Sequence, residues 1–187
     1  MQMFKNNLYI YKNIILFYKK SVPIKIIFYF LLSWFFAFCS QIIIPLPFNL
    51  VPISLQPLPL ILSSYFLGWH SVYAYLLTII QTAFGAPFFS GFQGGLTKLV
   101  GPTGGYILGF LFTMIFIVMT KNFFKKNIIT IFFNLFISMF IYYAFGLLQL
   151  SIFVPFKKLL YMGFYPFFFG CLIKVILSTL VISYFRK

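Results

Sequence analysis

Lys174 is an ionisable side chain in an apolar place. It lies in a hydrophobic run that begins near Phe167, roughly 10 Å down a helix at ~1.5 Å per residue. A lysine at membrane depth is expensive and is a functional candidate by default. Its ammonium needs a carbonyl, a water, a lipid phosphate or a ligand carboxylate; the alternative is that it snorkels to the surface. No carboxylate of the chain can serve, because 14 Lys plus Arg stand against no Asp or Glu. The same absence excludes acid–base catalysis by paired carboxylates and an Asp/Glu proton relay. It leaves only neutral oxygens for a hard cation, so no metal site is expected. Cys39 and Cys171 stand singly in apolar segments, with no CxxC or Cys/His spacing. No cofactor and no catalytic residue is indicated, and the chain is not expected to be an enzyme. His70, at a turn, reads as an interfacial polar residue.

A second group of residues points to a ligand through its backbone. Between Gly85 and Gly109, glycines and two prolines interrupt an otherwise apolar sequence. Irregular backbone at membrane depth is tolerated only where it is buried in protein or lines a cavity. Gly101-Pro102-Thr103-Gly104 reads as a turn into a helix start, whose N–H groups attract an anionic or carbonyl group. Gly105 and Gly109 continue the four-residue spacing of Gly101, which close helix packing explains equally well. The stretch Gly91–Lys98 does not complete the Gly-x4-Gly-Lys-Ser/Thr pattern of a phosphate-binding loop. Any ATP coupling must therefore come from a partner.

These residues need elements to position them. The sequence is 63% hydrophobic and 7% charged, the composition of an integral membrane protein. One all-α domain of six transmembrane helices over residues 23–187 is expected, preceded by a basic amphipathic segment over 1–22. In that segment Phe4, Leu8, Tyr11, Ile15 and Tyr18 share a stripe, with Lys5, Lys12 and Lys19 off it; a frayed basic flank is the plainer reading. The apolar segments run from about Pro23 to Ile44, Ser54 to Leu67, Val72 to Phe84, Gly105 to Met119, Ile128 to Leu150 and Phe167 to Phe185. Pro45, Pro47 and Pro52 break the backbone after the first, and 153–166 is expected to be a loop. Cations flank these segments, which argues for topology signals rather than nucleic-acid binding. Counting six crossings puts most of them inside with both termini, and leaves Lys98, Lys157 and Lys158 outside. The proline-rich break, the glycine-rich stretch and the 153–166 loop then converge on the outer face. Ser33 and Ala37 form a small-residue strip that would suit a partner's helix or packing within the bundle.

The order Pro45-Leu-Pro47, Val51-Pro-Ile-Ser-Leu-Gln56-Pro, Gly85-Ala-Pro-Phe-Phe-Ser, Gly94-Gly-Leu and Gly101-Pro-Thr-Gly-Gly-Tyr-Ile-Leu-Gly-Phe110 resembles the BioY family. These are the biotin-binding S components of energy-coupling factor (ECF) transporters. The resemblance runs from about residue 23 to 184. It implies a six-helix, multi-pass protein of the bacterial inner membrane, set in lipid, that binds biotin on its outer side. It also implies a transmembrane coupling protein and two ATPase subunits as partners, and it puts Ser33 and Ala37 on the surface facing the coupling protein. Phe88, Phe89, Gln93, Lys98 and Tyr106 would line the pocket mouth, within a wall that includes Gly91, Gly101, Thr103 and Gly104. Cys171 and Lys174 would lie below. The family's Gly-Asp-x-x-Lys at the start of the last span is here Gly170-Cys171-Leu-Ile-Lys174. A thiol accepts hydrogen bonds weakly where a carboxylate accepts strongly. Three outcomes follow: weaker biotin binding, takeover by Gln56, Gln93 or a glycine-loop carbonyl, or a relative of biotin as substrate. The second is expected, with Lys174 free to attract the ligand's carboxylate. The alternatives to the whole reading are an S component for another vitamin and a structural membrane protein without a transported ligand.

Overall fold

A computed structural model of the chain describes residues 22–44, 51–123 and 127–186. Apart from Val22, the expected amphipathic segment over 1–22 lies outside the described residues, as do Pro45, Pro47, Lys125 and Lys126. The elements in chain order are α1 Val22–Gln41, β1 Ile43–Ile44, β2 Ile53–Ser54, α2 Pro57–Leu67, α3 Trp69–Ala83, α4 Leu96–Val100, α5 Gly104–Thr120, α6 Ile128–Leu150, α7 Phe156–Gly163 and α8 Tyr165–Arg186. Helix α1, helix α6 and the stretch Phe156–Phe185 are long and apolar enough to cross a membrane, while α2 and α5 are shorter apolar helices.

Local sequence explains the boundaries. Proline occupies the first turn of α2, where its missing N–H costs nothing. Gly68 ends α2 at φ 62°, a left-handed conformation that reverses the chain into α3. Asn127 caps α6 by accepting from the N–H of Ile129.

The longer helices alternate in direction between two ends of a bundle. At one end the Lys121 ammonium donates to the Tyr65 carbonyl at 2.8 Å. There too the Tyr29 hydroxyl meets His70 Nδ1 at 2.7 Å, and Phe66 packs edge-on to Phe185. These contacts gather the start of α1, the α2–α3 turn and the ends of α5 and α8. At the other end the Gln149 amide donates to the carbonyls of Val100 and Gly101, both at 2.8 Å. There the Tyr106 hydroxyl donates to the Gly163 carbonyl at 2.9 Å. Helices α5 and α6 are in close backbone contact through two glycines. A Cβ on Gly105 would lie 2.2 Å from the Phe145 carbonyl oxygen, and one on Gly109 would lie 2.8 Å from that of Tyr142.

Three expectations are corrected. The segment 153–166 is not a plain loop, because it contains α7, and α8 begins at Tyr165 rather than Phe167. The region around the proline-rich break carries a small antiparallel pair, Ile43 opposite Ser54 and Ile44 opposite Ile53. Ser33 and Ala37 do not face outward: Ser33 is fully buried and Ala37 nearly so. The Ser33 hydroxyl accepts from Thr78 Oγ1 at 3.1 Å and from Gln81 Nε2 at 2.8 Å, so the strip packs on α3 within the bundle. The face α1 turns outward is instead large and apolar, with Leu31, Trp34 and Phe38 each more than half exposed.

Candidate functional site

A pocket opens at the bundle end that carries the irregular segments. Its wall is built from β2, the start of α2, the glycine-rich loop, α5, α6 and α8. About 510 Å³ of space between atoms lies within its walls, a figure that takes in the open solvent at its mouth. A second, deeper pocket continues inward between Leu60, Ile61, Met114 and Met139, and shares Pro57, Phe110, Tyr142, Cys171 and Lys174 with the first.

The apolar part is an aromatic box. Phe110 and Tyr142 stack with centroids 4.5 Å apart at 15°. Tyr106 adds a face 5.1 Å from Tyr142 and 6.1 Å from Phe167. The bond from its hydroxyl to Gly163 fixes the Tyr106 ring. A ring of that kind gives an apolar ligand a stacking surface at little entropic cost.

The polar part is cationic. Lys174 lines both pockets, and its ammonium donates to the Ser54 carbonyl at 2.7 Å. That carbonyl leaves two of its N–H groups for other acceptors. Lys98, on the short α4, lines the first pocket and the cleft outside it. It is held by Gln93 Oε1 at 2.8 Å and Ser90 Oγ at 3.4 Å. Burial lowers the Lys98 pKa from the ordinary lysine value, because desolvation disfavours the charged form. Gln56 is 4% exposed, and its Nε2 has no hydrogen-bond partner among the described residues. A buried donor without a partner costs free energy until a ligand supplies an acceptor. The Cys171 thiol neighbours Lys174 and the Tyr143 hydroxyl.

The structure brings Gln56, Phe89, Lys98, Thr103, Tyr106, Cys171 and Lys174 to one pocket. It places the other expected residues outside that wall. Phe88 turns away from the pocket, edge-on to Trp34 at 5.5 Å, and its carbonyl accepts from Ser40 Oγ. Gln93 faces the outer cleft and acts by holding Lys98. Gly91 is a turn residue at φ 76°. Gly101 lines the outer cleft, and Gly104 packs so tightly that a Cβ would fall 1.7 Å from the Leu99 carbonyl oxygen. Phe110, Tyr142 and Phe167 were not singled out from sequence, nor was the arm Val51–Ser54 as a wall. The available signal for Tyr142 was the series Asn134, Ser138, Tyr142, which puts polar-tipped side chains on one helical face of a Phe-rich segment.

Comparison with known proteins places this architecture. Residues 17–187 match the BioY family. A protein of Thermotoga maritima named biotin transporter BioY is 33% identical over 147 residues, covering 77% of this chain and 86% of its own. One of Lactococcus lactis subsp. cremoris named biotin transporter BioY2 is 31% identical over 138 residues, covering 72% and 76%. A crystal structure described as the S-component for biotin from an ECF-type ABC transporter superposes with a TM-score of 0.76, covering 87% of this chain and 90% of its own. At 23% identity that likeness bears on the fold. Since the family match spans nearly the whole sequence and the relatives align over most of their own lengths, this chain belongs to the BioY family.

Proposed function

We propose that this chain takes up biotin as the membrane-embedded S component of an ECF-type transporter. The observation that carries the reading is a pocket with two lysines, no acid and an aromatic box, walled by the segments that define the family resemblance. Biotin has complementary chemistry: one carboxylate, an aliphatic tail, and a ring system whose ureido group has one carbonyl acceptor and two N–H donors. A carboxylate pays least desolvation near the mouth, where Lys98 bridges pocket and outer cleft. The ring then lies on Tyr106, Tyr142 and Phe110, with Lys174 and Gln56 Nε2 donating to the ureido carbonyl. Lys174, expected from sequence to draw the carboxylate, takes the deeper role because it also lines the inner pocket. Thr103 and the loop carbonyls are left as acceptors for the ureido N–H groups, where Cys171 accepts only weakly.

The proposal includes six crossings with both termini inside, in a bacterial inner membrane, so that the pocket mouth faces outward. It also includes a transmembrane coupling protein and two ATPases as the source of energy, because no phosphate-binding loop is encoded in the sequence. The test is equilibrium binding of biotin, thiamine and riboflavin to the purified protein. Saturable binding of biotin alone is expected. Binding of another vitamin in its place, or of none, overturns the reading.

A further inference from the structure

Gln41, the last residue of α1, has no place in the pocket wall, yet its side chain grips the loop that supplies Phe89 and Ser90 to that wall. Its Nε2 lies 3.2 Å from the Pro87 carbonyl and 3.2 Å from the Phe89 carbonyl. Its Oε1 accepts from the Phe92 N–H at 2.9 Å. Phe89 and Phe92 belong to one tight hairpin, in which the N–H groups and carbonyls of Phe89 and Gln93 pair reciprocally at 3.2 Å, and Pro87 leads into it. The hairpin tip is conformationally demanding, with Gly91 at φ 76° and Phe92 at φ 54°. Phe92 is an unfavourable residue for that conformation, so the tip keeps its shape only where outside bonds hold it. The base of the loop is tied separately, the N–H groups of Gly85 and Gly95 both donating to the Thr82 carbonyl at 2.9 and 2.7 Å. Gln41 therefore holds the tip, and the end of α3 holds the base. Between them Phe89 and Ser90 form part of the pocket wall, and Phe89 is 2% exposed.

We propose that Gln41 is a positioning residue that sets how long the pocket stays covered, acting through the 89–93 hairpin without touching the ligand. One amide side chain serves two carbonyls and one N–H, so losing it removes three contacts at once and leaves the Phe89 carbonyl with only its bond from the Gln93 N–H. The clamp rests on the proposed function only for the identity of the ligand. It makes α1 the element through which a disturbance of the helix would reach the pocket cover.

The chain has two cysteines, and Cys171 lies in the pocket wall, so it reports pocket opening directly. In a Cys39→Ala background, the rate at which a polar methanethiosulfonate labels Cys171 is measured with and without biotin, together with biotin association and dissociation rates and the melting temperature. Gln41→Met is expected to raise the labelling and biotin dissociation rates about tenfold, leaving the association rate and melting temperature near wild type. Gln41→Glu keeps the acceptor for Phe92 N–H, loses the donors, and is expected to fall between. Wild-type labelling by a folded Gln41→Met protein overturns the clamp. Should Gln41→Met not fold, Gln41→Glu decides by the same criterion. Faster labelling in the variant with no protection by biotin keeps the clamp and rejects biotin as ligand. Equal biotin protection and equal labelling in both proteins rejects the clamp and keeps biotin.

Discussion

The two pocket lysines differ in depth, and that difference decides what each can do. Lys98 is half-buried at the mouth, and desolvation lowers its pKa. A bound carboxylate favours its charged form, so biotin affinity should be highest while Lys98 is protonated. It should fall as pH rises through a value below the ordinary lysine range; Lys98→Arg should remove that fall, because arginine stays charged. Folding has the opposite sign without ligand: the folded state binds its proton less readily than the unfolded chain, so the Lys98 contribution to stability improves as pH rises through that window. Comparing biotin with its methyl ester separates the lysines. Lys98→Gln should weaken biotin about tenfold and spare the ester, the size of one charge-assisted bond. Lys174→Met should weaken both, since its proposed partner is the ureido carbonyl; a Lys174→Met defect confined to biotin would reverse the two roles. Cys171 sets up the matching test. Cys171→Asp restores a strong acceptor one helical turn from Lys174, so biotin affinity should hold or rise, and a clear loss in titration calorimetry sinks the idea that neighbouring groups replaced the family's acid.

At the level of elements, the tightest joint is α5 on α6. Gly105 allows the approach, since a Cβ there would stand 2.2 Å from the Phe145 carbonyl oxygen, a backbone atom with no way to yield. Gly105→Ala should therefore destabilise the protein by about 1–3 kcal/mol through forced separation of the helices. The half-exposed Leu108 on the same helix provides the control, and Leu108→Ala should change the melting temperature in detergent far less. Because Tyr106 and Tyr142 lie on these two helices, Gly105→Ala should weaken ligand binding as well. The same joint shows what could be read in advance. The four-residue glycine spacing was visible as a close-packing signal, because close backbone approach is a requirement that the residue type itself encodes, whereas the glycine-rich stretch lends the pocket side chains such as Phe89, Ser90, Lys98 and Thr103 and none of its glycines. Direction on a helix surface was not encoded in this way. Ser33 and Ala37 make the same small-residue signal whether they meet a partner or α3, since lipid and protein interior are equally apolar. Helix α7 has only eight residues, too short for periodicity to declare it beside Lys157 and Lys158. Tyr142 was hidden in a segment crowded with other aromatics, and only its neighbours on α5 and α8 make it a pocket residue.

For the whole molecule, helix lengths and charge distribution bear on one question, which side the pocket faces. Helix α2 has 11 residues and α3 has 15, or roughly 17 and 23 Å at ~1.5 Å per residue. Both fall short of the ~30 Å hydrocarbon core. In the proposed topology the missing depth lies at the pocket end, where the β1–β2 pair and the glycine-rich loop take up the space. That is the arrangement in which non-helical backbone is tolerated within a bilayer, since it lines a cavity instead of meeting lipid. Near the helix ends, the cations of the described residues divide evenly between the two ends of the bundle. Lys25, Lys121 and Arg186 belong to one end, and Lys98, Lys157 and Lys158 to the other. The imbalance comes from the sequence beyond them: Lys5, Lys12, Lys19 and Lys20 precede α1, Lys125 and Lys126 lie between α5 and α6, and Lys187 follows α8. In the sequence all seven flank helix ends that the proposed topology puts inside, and positive charge in short flanking segments marks the cytoplasmic side. Reporter fusions test the result. A fluorescent protein joined after Phe123 should be bright and alkaline phosphatase there inactive, with the reverse for fusions after Phe153. The opposite pattern would place the pocket on the cytoplasmic side. Lys98 would then face the cell interior, and outward capture of an anionic vitamin would have to be abandoned.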